Sequence, residues 1–292
     1  MNSVVLSSPF FIRDDDELAV KLKAALEVDE GDAFDFVQRI RGESKSMLSQ
    51  ETLTAIHFLA RHTGHAIMEI GAYIGGATLT VLHATQARRN PFVTLEEPVV
   101  SNHPQLPTKD SVRDLIANLK TFGLVRPEHS VIPGASFEAW VVGNVYLDLM
   151  GKKIGLMIWD ADACFDRDYF LFGSLFADDC IIMIDDYMVT QEHKAGRITT
   201  VVDEMVQRGI LEPLALLPWA TWFGRVLRRS TQEDLTHFRR QWEALSAEGD
   251  VYYRRWLGHI ERQQREKYTP PITKDDRIAF WRLAAAQRKQ RG

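Results

Sequence analysis

Two rhythms of apolar residues alternate along most of the chain. Short unbroken or strand-like runs occur at Ala66 to Ile70, Phe92 to Leu95, Ser130 to Pro133, Ile154 to Trp159 and Cys180 to Ile184. Between them the apolar positions recur at helical spacing. After Asp110, Leu115, Leu119 and Phe122 share one face and Gly123 closes the helix. An irregular aromatic helix is expected over 137–150, a helix from about Arg167 to Phe176, and another from Thr199 to Gln207. Strands that alternate with helices and are apolar throughout belong in a parallel sheet covered on both faces.

Three helices precede the first of these strands. Residues 14–27 start on acids and place Leu18, Leu22, Ala25 and Leu26 along one stripe, a pattern that suits the positive end of the helix dipole. A second helix runs from Ala33 to Ile40. Ser49 caps a third, with Leu53, Ile56 and Leu59 inward and Gly64 at its end. At the other end, Leu214 to Leu217 and Phe223 to Leu227 read as an antiparallel pair. From Ser230 the stripes Leu235, Phe238, Trp242, Leu245 and then Tyr253, Trp256, Leu257, Ile260 predict two helices. Pro270 and Pro271 break the chain before a third, marked by Ile278, Trp281 and Leu283.

The stretch AIMEIGAYIGGATLTVL, Ala66 to Leu82, joins the first apolar run to a helix through Gly71, Gly75 and Gly76. Glycines there let backbone N–H groups approach a ligand, and the helix N-terminus offers unpaired donors. A dinucleotide fingerprint requires glycine at position 73, and Tyr73 stands there. Its side chain blocks the close approach of a pyrophosphate, which disfavours a nucleotide-dependent oxidoreductase. Glu69, two residues before Gly71, suits an ammonium or sulfonium better than a diphosphate. The stretch resembles the first motif of class I S-adenosylmethionine-dependent methyltransferases, and EIGAYIGG is most similar to small-molecule O-methyltransferases of the catechol and caffeoyl-CoA type.

That resemblance covers about Ser49 to Leu227. It implies a doubly wound, Rossmann-like α/β fold with an antiparallel last strand, N-terminal cap helices and a C-terminal helical extension. The corresponding divisions are 1–48, a cofactor-binding core at 49–229, and 230–292. It also implies cofactor contacts at Glu69, Gly71, Tyr73 and Gly75, at Glu96 toward the ribose, and at Ala135 and Ser136, where the turn after the 130–133 strand borders the adenine ring.

Asp160, Asp185 and Asp186 follow two apolar runs linked by one helix. Such strands are usually neighbours, so the three acids converge at the ligand-binding edge of the sheet and repel one another unless a cation is present. An all-oxygen ligand set points to Mg²⁺, then Mn²⁺ or Ca²⁺. Successive strand residues face opposite ways, so Asp185 and Asp186 share an ion only if the strand ends between them. In the family resembled, acids at these positions hold a divalent ion, which acidifies a substrate hydroxyl and fixes it in line with the sulfonium methyl. Asp160 then serves ion and cofactor both. The family's basic lysine falls on Ala163, leaving His193, then Lys194, as candidate proton acceptors.

Composition narrows the partners. Net charge is −5 and hydrophobic content 45%, which disfavours nucleic-acid binding over the whole surface. From Arg229 onward there are 14 Lys/Arg against 9 Asp/Glu, so that segment is +5 and the 228 residues before it −10. The basic surplus reads as a solvated face, and the tryptophan stripes as packing on the body or in a homodimer through the terminal helices. Two cysteines, no signal-like N-terminus and no apolar run of 18 residues suggest a cytoplasmic protein with no membrane partner. The expectation is a metal-assisted O-methyltransferase of a small hydroxylated metabolite, with Trp219 and Trp222 beside an apolar or aromatic acceptor. A metal-independent N- or C-methyltransferase, or a cofactor-binding protein without transfer activity, remain the alternatives.

Overall fold

The central strands are apolar because both of their faces are covered. In the computed structural model, which describes residues 11–43, 45–188, 197–250 and 252–258, β1 is Phe11–Ile12, β2 Ala66–Ile70, β3 Phe92–Glu96, β4 His129–Pro133 and β5 Ile154–Trp159. β6 is Phe176–Ile184, β7 Leu211–Leu217 and β8 Thr221–Val226. All residues of β2, β3 and β5 are buried, as expected for strands between two helical layers. The sheet order is β1-β7-β8-β6-β5-β2-β3-β4. β4, β3, β2, β5 and β6 pair in parallel, and β8 runs antiparallel between β6 and β7. This is the Rossmann-like sheet of class I methyltransferases, with the antiparallel strand where the sequence puts it.

Helices α1 (Glu17–Leu26), α2 (Asp32–Gly42), α3 (Gln50–His62), α4 (Gly76–Ala84) and α5 (Ser111–Thr121) supply one apolar layer, which joins Leu22, Ile40, Ile56, Leu79 and Leu115 to Ile67, Leu156 and Phe223 of the sheet. Helices α6 (Ala139–Leu149), α7 (Phe165–Phe172), α8 (Arg197–Gln207) and α9 (Gln232–Ala247) supply the other. The cap read from the sequence forms, with Ser49 Oγ accepting from Thr52 N at 3.1 Å; Thr231 and Asp234, each within reach of the other's backbone as the spacing of a Thr and an acid three residues on allows, make a reciprocal capping box.

Several elements differ from the sequence reading. The helix expected to reach Phe176 ends at Phe172, because Phe176 already pairs with Ile154 at the start of β6. The last two strands are longer than expected, and Leu227 lies beyond β8. β1 was not foreseen; its two residues pair with Leu216 and Ala215 on the free edge of β7.

The C-terminal stripe is consumed within the chain. Phe238, Trp242, Tyr253 and Trp256 are buried in the same cluster as Phe137, Phe165 and Trp159, so these aromatics are covered without a second subunit. Ile260, Ile278, Trp281 and Leu283 lie outside the described residues. No helix among the described residues is long and apolar enough to cross a membrane.

Candidate active site

Strand register brings the acids together. Ile70 of β2 pairs with Trp159 of β5, and Trp159 with Ile184 of β6. The next residue on each strand is therefore Gly71, Asp160 or Asp185, side by side at the carboxyl edge. The ladder continues one step, with Asp160 N donating to Ile70 O at 2.9 Å and Asp185 N to Trp159 O at 3.0 Å. Gly71 has φ +85, and a Cβ there would stand 1.8 Å from the Asp160 carbonyl oxygen. Only glycine lets these two backbones meet.

β6 ends at Ile184, and Asp186 takes a left-handed conformation with φ 58. The alternation of side chains stops there. One ligand atom each of Asp160, Asp185 and Asp186 lies within 4.8 Å of the others, all three half-buried. Thr221 precedes Trp222, the antiparallel partner of Ile184, so it stands across from Asp185 and donates to Asp185 Oδ1 at 2.6 Å. Behind it, Thr52 and Thr221 hydroxyls are 2.9 Å apart, and Ser49 Oγ donates to Thr52 Oγ1 at 3.1 Å. The sequence carries no signal for this hydroxyl row, since Thr221 is 169 positions from Thr52.

Acid cluster and glycine corner open into one cavity of about 890 Å³, lined by Glu69, Gly71, Ala72, Tyr73, Gly76, Asp160, Asp185 and Asp186, by the 45–49 segment, and by His103, Leu106, Trp219 and Thr221. Glu69 is 1% exposed. Thr78 Oγ1 and Thr94 Oγ1 donate to its Oε2 at 2.6 and 3.1 Å, while Oε1 has no hydrogen-bond partner among the described residues. Burial raises the carboxyl from 4.5 to about 7, against the two threonine donors. A buried acceptor left open on a cavity wall fits a ligand that brings a donor, such as an ammonium. The all-oxygen triad likewise fits a hard divalent cation.

Tyr73 is left-handed at φ 51; its N–H donates to Glu96 Oε2 at 2.8 Å, and its hydroxyl donates to Leu106 O. Glu96 is buried, which raises its carboxyl to about 7, and it does not line the cavity. Gly75, with φ +98 and Leu115 Cδ1 2.4 Å from where a Cβ would stand, serves the turn and the helix contact behind the corner. Ala135 and Ser136 are buried away from the cavity. Ser136 Oγ donates to Asp168 Oδ1 at 2.6 Å and accepts from Arg167 Nη2 at 3.0 Å. Trp222, expected beside an acceptor, is buried; Trp219 is the exposed one, 80% accessible at φ 66. Ala163 is fully buried, and His193 and Lys194 lie outside the described residues.

A second polar knot fixes the outer layer. Arg167, 2% exposed, donates to Asp168 at 2.9 Å and Asp162 at 2.8 Å, and Phe137 lies 4.8 Å under its guanidinium. Asp166 accepts from Trp242 Nε1 at 2.5 Å and Tyr253 hydroxyl at 2.8 Å. Arg255 Nη1 reaches Glu97 Oε2 at 3.1 Å and Trp256 meets Phe137 edge-on. The C-terminal helices thereby close over the turn that contains Ala135 and Ser136.

Comparison with known proteins agrees with this sheet. The structure of a Podospora anserina methyltransferase, PaMTH1, bound to S-adenosylhomocysteine (SAH), matches 74% of this chain and 98% of its own at 17% identity and a TM-score of 0.51. Cofactor-bound Rv0187 from MTB matches 75% of this chain and 100% of its own at 15% identity and 0.52. A Staphylococcus aureus protein assigned to the caffeoyl-CoA O-methyltransferases matches 71% and 99% at 13% identity and 0.50. No family profile matches the sequence, and no curated protein does. The shared fold is that of the class I methyltransferases.

Proposed function

We propose that this chain is an S-adenosylmethionine-dependent, divalent-metal-assisted O-methyltransferase acting on a small hydroxylated molecule. The observation that carries the reading is one cavity with two unlike ends: a glycine corner with an unsatisfied buried carboxylate oxygen, and three converging aspartates. The solved structures of the same fold add support, since one contains SAH and another is assigned to O-methyl transfer.

In this reading Glu69 Oε1 accepts from the ammonium of the cofactor, and Gly71 and Tyr73 shape the floor beneath it. Asp160 sits between that end and the acids Asp185 and Asp186, which with it would hold the ion. When bound, such an ion acidifies a hydroxyl and orients it toward the methyl donor. Trp219 and Leu106 exclude water from the open side, and the 45–49 segment roofs the cavity. His103 lines the same space, with Nδ1 accepting from Gln105 N at 3.2 Å, and joins His193 and Lys194 as a proton acceptor for the acceptor hydroxyl. The described parts of the segments 1–48 and 230–292 act as covers of a 49–229 core, and a cytoplasmic site of action fits the two free buried cysteines.

The test is transfer of a labelled methyl group to a panel of catechols and hydroxy acids, with and without Mg²⁺ or Mn²⁺. Transfer that chelator abolishes supports the reading. Transfer indifferent to chelator leaves a metal-independent methyltransferase, and thermal stabilisation by NAD but not SAH overturns the cofactor.

A further inference from the structure

Two cations overlook this acid-rich cavity without neutralising it. Of the basic residues in the last turn of α2 and the segment after it, Arg39 is committed, with Nε 2.8 Å from Glu43 and its guanidinium 4.4 Å over Phe122. Arg41 and Lys45 line the cavity instead and are the only Lys or Arg side chains among its described lining residues. Among the described residues, neither has an ion pair or side-chain hydrogen bond to a carboxylate.

Their segment is pinned at both ends. A Cβ on Gly76, the first residue of α4, would stand 2.4 Å from Ser46 Cβ and 3.0 Å from the Lys45 carbonyl oxygen, so Lys45 lies against the glycine corner. Four residues on, Ser49 joins the hydroxyl row that ends on Asp185. The backbone at Lys45 is thus fixed between corner and acids, and Arg41 stands in the last turn of α2 just before it.

We propose that Arg41 and Lys45 form a carboxylate subsite on the roof of the cavity. The inference rests on the methyltransferase reading and adds to it the charge of the bound molecules. Glu69 leaves one oxygen for a cation, and a guanidinium and an ammonium with no carboxylate partner among the described residues line the same cavity, supplying the complementary half of a site for a zwitterion or a hydroxy acid. Arg presents a fork matched to a carboxylate and Lys a point charge. Two molecules could bring that carboxylate: the amino-acid end of the methyl donor, or an acceptor that carries an acid beside its hydroxyls.

The arms of one titration experiment separate them. Wild type and the double variant Arg41→Ala with Lys45→Ala are titrated with SAH, with 5′-methylthioadenosine, which lacks the carboxylate, and, in Mg²⁺, with 3,4-dihydroxybenzoate and catechol. Both substituted side chains are at the surface of the roof, and circular dichroism checks the fold. Losing a hydrogen bond to a charged group corresponds to about tenfold or more in affinity. A loss of that size for SAH but not methylthioadenosine assigns the carboxylate to the donor. A lost preference for 3,4-dihydroxybenzoate over catechol, with SAH unchanged, assigns it to the acceptor. A double variant that binds all four as wild type does overturns this inference alone. Failure of wild type to bind SAH overturns the parent reading, and the inference with it.

Discussion

The hydroxyl of Thr221 donates to Asp185 Oδ1 at 2.6 Å, and that bond orients the Asp185 carboxylate within the acid cluster. Partners that orient a metal ligand typically contribute 10–100-fold to metal affinity. Thr221→Val, nearly the same shape without the donor, is expected to weaken Mn²⁺ binding by roughly that factor while SAH affinity holds. Thr221→Ser restores the donor and should restore the ion. Equal Mn²⁺ affinity in all three proteins would refute the positioning role.

Removing the acids themselves has a sharper signature. Asp185→Asn with Asp186→Asn removes two of the three carboxylates that lie within 4.8 Å of one another. Differential scanning fluorimetry should show that Mg²⁺ or Mn²⁺ no longer raises the melting temperature, with stabilisation by SAH retained. An unchanged response to metal would remove the site.

The corner can be tested against a glycine that lacks its crowding. Gly71→Ala forces φ +85 and a Cβ 1.8 Å from a backbone oxygen, whereas Gly123→Ala at φ +66 meets nothing within 4 Å. A strained φ alone costs about 1–2 kcal/mol, and the added clash should bring Gly71→Ala to about 3–5 kcal/mol. Urea midpoints of the two variants measure the difference; similar values would contradict the backbone contact.

Glu69 makes stability fall as pH rises. Its carboxyl is near 4.5 when unfolded and about 7 when folded, so the folded state holds the proton more tightly. The stability this contributes is complete below pH 4.5 and is lost as pH climbs through 7, on the order of 3 kcal/mol in all. Glu96, also raised to about 7 by burial, acts in the same direction. Glu69→Gln should therefore flatten, without abolishing, the decline of unfolding free energy between pH 4.5 and 7. If Glu69 receives an ammonium, SAH affinity in wild type should also rise through pH 7, and lose that rise in the variant.

Much of the sheet is legible in the chain, because a strand buried on both faces has to be an apolar run, and β2, β3, β5 and most of β6 are such runs. Caps were legible for a similar local reason: Ser49 and Thr231 act on N–H groups three residues away. What escaped was decided at long range. β6 starts at Phe176, before the exposed pair Asp178 and Asp179, because a parallel neighbour offers pairing there. Asp160, Asp185 and Asp186 could be named from strand ends, but their convergence depends on a left-handed turn at Asp186 that no local residue choice announces. Ser136 is read as an adenine contact from the family resemblance; that its hydroxyl is engaged by Arg167 and Asp168, about thirty positions on, no local pattern announces.

That buried knot predicts a loss of similar size to that of Gly71→Ala. Arg167→Met removes a cation that is only 2% exposed from Asp162 and from the fully buried Asp168. Breaking a buried pair from one side costs about 3–5 kcal/mol. Thermal or chemical unfolding of Arg167→Met against wild type measures it, and a loss below about 1 kcal/mol would mean water reaches these carboxylates.

Tyr73, Asp186 and Trp219 are all left-handed, and all three face the same cavity. A bulky residue held in that conformation stores energy that the surrounding framework must counterbalance, so backbone strain gathers at the rim of this pocket. Engineering for heat resistance would find gains here, by installing glycine or asparagine at these places, and each gain would erase a side chain that lines the pocket.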